Sequence, residues 1–223
     1  MFTKSLCSAL LGALLALPLS AVAMDRGTFP KPLQDVSLSH EKLQTAVFAG
    51  GCFWGTQSVF ERVKGVRKTV AGYAGGKAST ATYSQVTTET TGHAESVEVT
   101  YDPSVITYGG LLRIFFSVAH DPTTLNRQGP DEGTSYRSAI FFTSPEQQKV
   151  AQAYIAQLDA AHVFKSKIVT EVTPLKGFYK GEDYHQDYAL HNPDNPYIQV
   201  CDRPKIEALK REYPDLFVDY KGR

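Results

Sequence analysis

Apolar positions along the chain follow two periods, and each period marks out its own elements. Thr45-Ala46-Val47-Phe48 reads as a strand, and Ala49-Gly50-Gly51-Cys52-Phe53-Trp54-Gly55 leads from it into a helical stripe of Val59, Phe60 and Val63 that Gly65 stops. Val66 to Ala74 reads as a second strand, and a short turn or helix beyond it carries Tyr83 and Val86. From His93 to Tyr101 the alternation is strict: His93, Glu95, Val97, Val99 and Tyr101 share one face, and Ala94, Ser96, Glu98 and Thr100 share the other. Gly109 to Ala119 is apolar enough for a buried helix, whereas His120 to Tyr136 is a long polar loop of the kind that carries function or stays disordered. Arg137 to Phe142 is a short strand. Ser144-Pro145-Glu146-Gln147 opens a helix that runs to about His162, with Ser144 as cap and Gln147 completing a capping box. Ile168 to Val172 predicts a strand and Tyr184 to Leu190 a short helix, and Asp202-Arg203-Pro204 caps and starts a last helix ending before Pro214.

These elements lack the regular spacing of a doubly wound sheet. They predict an α+β sandwich, a mixed sheet with helices packed on it, forming one domain over residues 44–223. Ahead of it, Met24 to about Leu43 is aperiodic and contains proline, which predicts a loose lead. The first 23 residues read as a secretory signal peptide: Lys4, an apolar run from Leu10 to Leu19 broken by Pro18, then Ala21-Val22-Ala23. The run is too short to span a bilayer. The expectation is a mature chain starting near Met24, exported to a bacterial periplasm and free of the membrane once cleaved.

Charge removes further classes. Lys and Arg total 23, as do Asp and Glu, so no electrostatic case exists for nucleic acid or an anionic membrane. Of three cysteines, Cys7 leaves with the signal. Cys52 and Cys201 then face an oxidising compartment, where they have two options as a disulfide, a structural staple or a redox pair.

Cys52 falls at or just ahead of the first turn of its helix, where unpaired backbone N–H groups favour a thiolate. That helix end contributes about 0.3–1 kcal/mol, too little for full ionisation alone. A lone cysteine is more often a small buried hydrophobe. Here the glycine and alanine neighbours allow close backbone approach, and Phe53 and Trp54 set large rings beside the sulfur, as in a pocket for an apolar group. Glu95 shares its face with Val97, Val99 and Tyr101, so it is drawn to the core side, where a desolvated carboxyl holds its proton at neutral pH and can act as a general acid. An edge carboxylate is the competing reading, while Glu98 points the other way and reads as solvated. Tyr83, Asp131, Tyr136, Glu182, Asp183, Tyr184 and His185 are further candidates, with core-edge packing for the tyrosines and an N-terminal capping network for 182–186 as the bland alternatives.

Taken together, Gly51-Cys52-Phe53-Trp54-Gly55, Gly92-His93-Ala94-Glu95, Tyr136-Arg137-Ser138-Ala139-Ile140 and Glu182-Asp183-Tyr184-His185-Gln186 resemble, in order and separation, the A-class peptide methionine sulfoxide reductases. The resemblance runs from about Thr45 to Pro214. It implies a ferredoxin-like α+β fold and reduction of the S epimer of methionine sulfoxide, free or in oxidised proteins. Carried over, Cys52 is the nucleophile, Glu95 the proton donor, Tyr83 and Tyr136 the hydrogen-bond donors to the sulfoxide oxygen, Phe53 and Trp54 the enclosure of the substrate methyl, and Asp131 a residue of the rim. No metal or organic cofactor is implied. The partner is a thioredoxin-like or other thiol reductant, and the enzyme is expected to be a monomer. The chain departs from the family at its tail: Cys201, the candidate resolving cysteine, precedes a helix instead of lying in a glycine-rich segment. The N-terminus of that helix is expected to lend it thiolate character.

Two other classes compete. A papain-like cysteine protease would pair Cys52 with His185 and with Asn192 or Asn195, but the residues around Cys52 do not match that family and Glu95 is left without a role. A secreted binding protein would use the aromatic pocket for a ligand, with a Cys52–Cys201 staple.

Overall fold

The computed structural model of the protein describes residues 29–40 and 42–222. The signal peptide expected over residues 1–23, Cys7 included, lies outside them. Among the described residues, no helix is long and apolar enough to cross a membrane.

In chain order the elements are β1 (Gln44–Gly50), α1 (Phe53–Phe60), β2 (Val66–Ala74), α2 (Tyr83–Val86), β3 (Ala94–Tyr101), α3 (Tyr108–Ile114), β4 (Arg127–Gln128), β5 (Asp131–Glu132), β6 (Ser138–Phe142), α4 (Pro145–Ala160), β7 (Glu171–Pro174), β8 (Phe178–Lys180), α5 (Tyr188–His191) and α6 (Arg203–Glu212). Six strands form one sheet in the order β7-β6-β1-β3-β2-β8, and β4 and β5 form a separate hairpin. All neighbours in the sheet run antiparallel except β6 and β7. The central order β6-β1-β3-β2, with α1 linking β1 to β2, is the ferredoxin-like arrangement, so the expected mixed-sheet α+β fold is what the chain adopts.

The strict alternation sorts the sheet's two faces. Ala46 and Phe48 of β1, and Val97, Val99 and Tyr101 of β3, meet Val59 and Phe60 of α1, Leu111 and Leu112 of α3, Tyr154 and Leu158 of α4 and Leu209 of α6. Phe48 stacks between Phe60 at 5.2 Å and Phe115 at 5.0 Å. Burying each ring of this kind contributes about 1.5–3 kcal/mol. The opposite face carries a smaller cluster of Val47, Ala49, Ala74, Ala94, Ala139 and Phe141 beneath Leu175 and Phe178. Among the described residues, helices thus cover one face only, and Cys52 and Phe53 after β1 belong to the cluster on that face.

Several boundaries differ from the sequence pattern, each for a tertiary reason. The helix after Cys52 stops at Phe60, and Val63 pairs as an isolated bridge with Phe217 instead of extending the stripe. The buried helix at 109–119 is α3 followed by a π-turn, Phe115–Ala119. The polar stretch 120–136 is ordered by the β4–β5 hairpin and a 3₁₀ turn, Thr134–Tyr136. The strand expected at 168–172 lies at Glu171–Pro174, where it finds β6. At Asp187, with φ of 52°, the helix expected over 184–190 is broken into a 3₁₀ turn, Asp183–His185, and α5.

The expected cap at Ser144 forms without its capping box, and the expected cap at Asp202 does not form. Ser144 accepts from the Gln147 N–H, but the Gln147 side chain accepts from Thr143 N and donates to Thr45 O, tying α4 to β1 in place of a capping box. Asp202 stands at the cap position of α6 and caps nothing. The lead is also fastened instead of loose: Phe29 O accepts from Arg113, Pro30 O from Tyr154, Lys31 O from Gln157, and Asp35 accepts from Thr107 and Gly109 at the start of α3.

Candidate active site

The turn from β1 into α1 fixes the cysteine. Gly51 has φ of 82°, and a Cβ there would lie 2.4 Å from the Gln128 side chain, so glycine is required for both conformation and space. Cys52 is then the N-cap residue of α1, as the sequence predicts. It is buried, and its thiol is free, as is that of Cys201. The structural staple is therefore not formed in this structure.

Glu95 comes to the same point from β3. It is 3 % exposed, and its Oε2 accepts the Phe53 N–H at 3.0 Å, the first amide of α1. Desolvation pushes its carboxyl up to about 8, against the Phe53 amide and a hydrogen bond from the Cys52 thiol, which favour the charged form. The edge-carboxylate alternative is thereby excluded. Glu98, on the opposite face, is only partly exposed.

Cys52 departs from expectation. A free helix end favours a thiolate, but here burial raises the thiol well above its usual range, and the carboxylates of Glu95 and Asp202 raise it further; the Trp54 amide and Lys205 pull the other way without prevailing. The physical reason is first that the thiol is buried, and second that carboxylates lie close to it. Cys52 rests as a thiol hydrogen-bonded to Glu95. Cys201 is corrected likewise: it lies half-buried in a π-turn, Ile198–Asp202, and its thiol is raised by desolvation and then by Asp202 and Asp131.

Tyr83 and Tyr136 both feel the charges of the Cys52–Glu95 pair. Both phenols are raised by burial and then by the charges of Glu95 and Cys52, so both keep their protons. Tyr83 starts α2 and is held by its own N–H on Glu182 Oε1 at 2.8 Å, while Glu182 Oε2 accepts from Tyr73 OH at 2.8 Å. Burial disfavours the Glu182 charge, yet these bonds outweigh it and keep the carboxyl below its usual range. Tyr136 is placed by Glu89, whose carboxylate accepts from Ser135 N at 2.8 Å, Ser135 Oγ at 2.6 Å and Thr134 Oγ1 at 2.9 Å. The 182–186 run is thus a bridge onto β2 and α2, not a capping network: Gln186 Oε1 also accepts from Ala71 N, and Gln186 Nε2 donates to Ala71 O.

Phe53 and Trp54 take different positions. Phe53 is fully buried between Tyr73 and His185, whereas Trp54 remains partly open. Its indole N–H donates to His185 Nδ1 at 3.1 Å, and its ring stacks on Tyr188 at 3.8 Å and meets Tyr197 edge-on. Burial lowers the His185 pKa, which leaves Nδ1 free to accept and assigns the ring proton to Nε2. Asp131, on β5, is partly buried and accepts from Tyr197 OH at 2.5 Å. The sequence pattern does not single out Tyr188, Tyr197 or Asp202. The two tyrosines lack a signal that separates them from core-edge tyrosines, and Asp202 carries the signal of an ordinary helix cap.

An acid that shares its proton with a buried thiol, two phenolic donors and an aromatic wall are together suited to stripping a polar oxygen from a small apolar group. His185 is committed to Trp54, so the protease dyad is absent from the described residues. Fold and site define a thiol-dependent oxidoreductase. The model of the family described as peptide methionine sulfoxide reductase matches residues 44–216. The chain is 50 % identical over 204 residues to the peptide methionine sulfoxide reductase MsrA 2 of Synechocystis sp., covering 92 % of this chain and 94 % of that one. It is 56 % identical over 174 residues to that of Mesorhizobium japonicum, covering 78 % and 89 %. Among solved structures, methionine sulfoxide reductase A of Corynebacterium diphtheriae is similar with a TM-score of 0.60 and 36 % identity, over 74 % of this chain and 82 % of that one. Reduced Mxr1 of Saccharomyces cerevisiae gives 0.61 and 35 %, over 71 % and 94 %. The chain belongs to the peptide methionine sulfoxide reductase family. It is an oxidoreductase, a peptide-methionine (S)-S-oxide reductase that repairs oxidised proteins.

Proposed function

We propose that Cys52 is the nucleophile and Glu95 the proton carrier of this reduction, and the observation that carries the reading is the desolvated Glu95 carboxyl bonded to both the Cys52 thiol and the Phe53 amide. The sulfoxide oxygen enters between the hydroxyls of Tyr83 and Tyr136, and the methyl group lies against Phe53 and Trp54, with Asp131 at the rim. A sulfoxide sulfur becomes electrophilic once its oxygen is protonated or strongly hydrogen-bonded. Glu95, protonated at neutral pH, gives its proton to the sulfoxide oxygen as Cys52 attacks sulfur, and the proton leaving Cys52 restores it. The substrate S–O bond breaks and oxygen moves to Cys52, giving methionine and a Cys52 sulfenic acid, so atoms and electrons balance.

Recycling then needs a thiol. Cys201 attacks the sulfenic acid, an S–S bond forms, water leaves, and a thioredoxin-like dithiol reduces the disulfide. The expected signal peptide places this cycle in a bacterial periplasm. With an S-sulfoxide substrate and dithiothreitol, wild type turns over and Cys52→Ser does not; activity surviving in Cys52→Ser overturns the assignment. N-terminal mass analysis of protein expressed in a host with two membranes tests the location, and a retained Cys7 contradicts it.

A further inference from the structure

Glu89 is held in a backbone conformation that side chains rarely adopt. Its φ is 61°, in the left-handed region, where a residue other than glycine persists only if its surroundings hold it there. It stands just past α2 with its N–H on Val86 O at 3.0 Å, so it continues the hydrogen-bonded run that starts at Tyr83, and the buried Val86 packs that run into the core. Its side chain crosses to residues 45 and 46 positions further on: Oε2 accepts from Thr134 Oγ1 at 2.9 Å and Ser135 N at 2.8 Å, and Oε1 accepts from Ser135 Oγ at 2.6 Å. A carboxylate from beyond α2 thus caps the 3₁₀ turn Thr134–Tyr136, whose own N-cap residue, Gly133, has no side chain to offer. Gly133 also makes room for it, since a Cβ there would lie 2.4 Å from the Glu89 carboxyl carbon. Ser135 is buried, so without that carboxylate its N–H and hydroxyl are left unsatisfied.

We propose that Glu89 is a positioning residue of the reduction: its carboxylate clamps the turn that carries Tyr136 to the helix that carries Tyr83, and so sets the spacing at which the two phenols grip the sulfoxide oxygen. This rests on the two phenols being the donors to that oxygen. Donors aimed at a developing charge are effective only where they are fixed in place before the reaction. Glu182 fixes Tyr83 through its N–H, and Arg137 ties Thr134 O, in the turn of Tyr136, to Gly92 O ahead of β3. Glu89 joins the two phenol-bearing elements to each other. Burial works against its charge, but the bonds from Ser135 and Thr134 outweigh that and keep the carboxyl below its usual range, so the clamp is charged and closed at neutral pH.

The test is the single-turnover rate of methionine release, measured against S-sulfoxide concentration for Glu89→Gly and Glu89→Gln, each made in wild type and in Tyr136→Phe. Glu89→Gly relaxes the left-handed residue and deletes the carboxylate, whereas Glu89→Gln keeps an oxygen for Ser135 N and Thr134 Oγ1 and an amide to donate to Ser135 Oγ. A misplacement of about 1 Å costs up to about 10²-fold, so Glu89→Gly should lower the saturating rate by about 10–10²-fold with little change in the half-saturating concentration, and Glu89→Gln should recover most of that loss. In the Tyr136→Phe background Glu89→Gly should change the rate by less than about twofold, because the hydroxyl it positions is already gone. A merely structural role lowers the rate by the same factor in both backgrounds. That result, an unchanged rate in Glu89→Gly, or a Glu89→Gln as slow as Glu89→Gly overturns the proposal. If Glu89→Gly does not fold, Ser135→Ala removes one of the three bonds from the other side: a loss of rate confined to the background that keeps Tyr136 supports the clamp, and no loss overturns it. A Tyr136→Phe as fast as wild type overturns the reading of the phenols and the clamp with it, whereas a slow Tyr136→Phe beside a fast Glu89→Gly overturns the clamp alone.

Discussion

Replacing Glu95 by Gln separates the cost of the site from its use. Gln keeps an oxygen for the Phe53 N–H and nearly the same volume, but it has no proton to carry. General acid catalysis contributes about 10²–10⁴-fold, and a loss of that size in kcat/KM is expected. Stability moves the opposite way. Burial raises Glu95 from 4.5 to about 8, so the folded protein binds a proton more tightly than the unfolded chain across that window. Wild-type stability from this group is therefore undiminished below pH 4.5 and falls as pH rises from there through 8, at about 1.4 kcal/mol per pH unit, to a loss of about 5 kcal/mol at most. Urea unfolding of both proteins at about pH 4 and about pH 9 is the assay. The variant should match wild type in acid and exceed it by several kcal/mol in alkali, while wild-type kcat/KM falls tenfold per pH unit above about pH 8 and the residual activity of the variant does not. Equal stabilities in alkali, or near-wild-type turnover in Glu95→Gln, would overturn this assignment of the buried proton.

Tyr83→Phe and Tyr136→Phe each remove one donor to the sulfoxide oxygen, and each should lower kcat by about 10²–10³-fold with little change in KM in steady-state assays; a KM effect alone argues that the phenols only bind substrate. After one turnover without reductant, wild type should lose both free thiols, whereas Cys201→Ser should keep a dimedone-reactive sulfenic acid on Cys52; a free Cys201 beside labelled Cys52 in wild type removes its recycling role. Glu61 is buried and raised from 4.5 to about 9 by desolvation, with the Asp187 carboxyl hydrogen-bonded to it. Its folded form binds the extra proton between those values, so Glu61→Gln should unfold at higher urea than wild type above about pH 9 and at equal urea near pH 4, and a lower midpoint in alkali contradicts this.

The parts of the fold legible in sequence are those with local cause. Period-two alternation marks β3 and turns Glu95 inward, and Pro145 after Ser144 marks the start of α4, because both signals act within a few residues. Three-residue β8 carries no period to detect and exists by pairing with β2. The break at Asp187 depends on Gln57 of α1 accepting its N–H, a contact between distant parts of the chain. The same limit governs the site: the position of Cys52 on its helix is legible, yet its ionisation is set by burial, by Glu95 and by Asp202, none of which its neighbours in sequence reveal. Asp202 has the sequence context of a cap and turns instead toward α1.

Whether Cys52 takes the oxygen is decided by a burst of turnover without reductant. Enzyme mixed with excess S-sulfoxide should release one methionine per chain and lose Cys52 alkylation in step with it, while the R epimer releases none. Methionine released while Cys52 stays fully alkylatable, or equal bursts from both epimers, would be incompatible with oxygen transfer to this thiol.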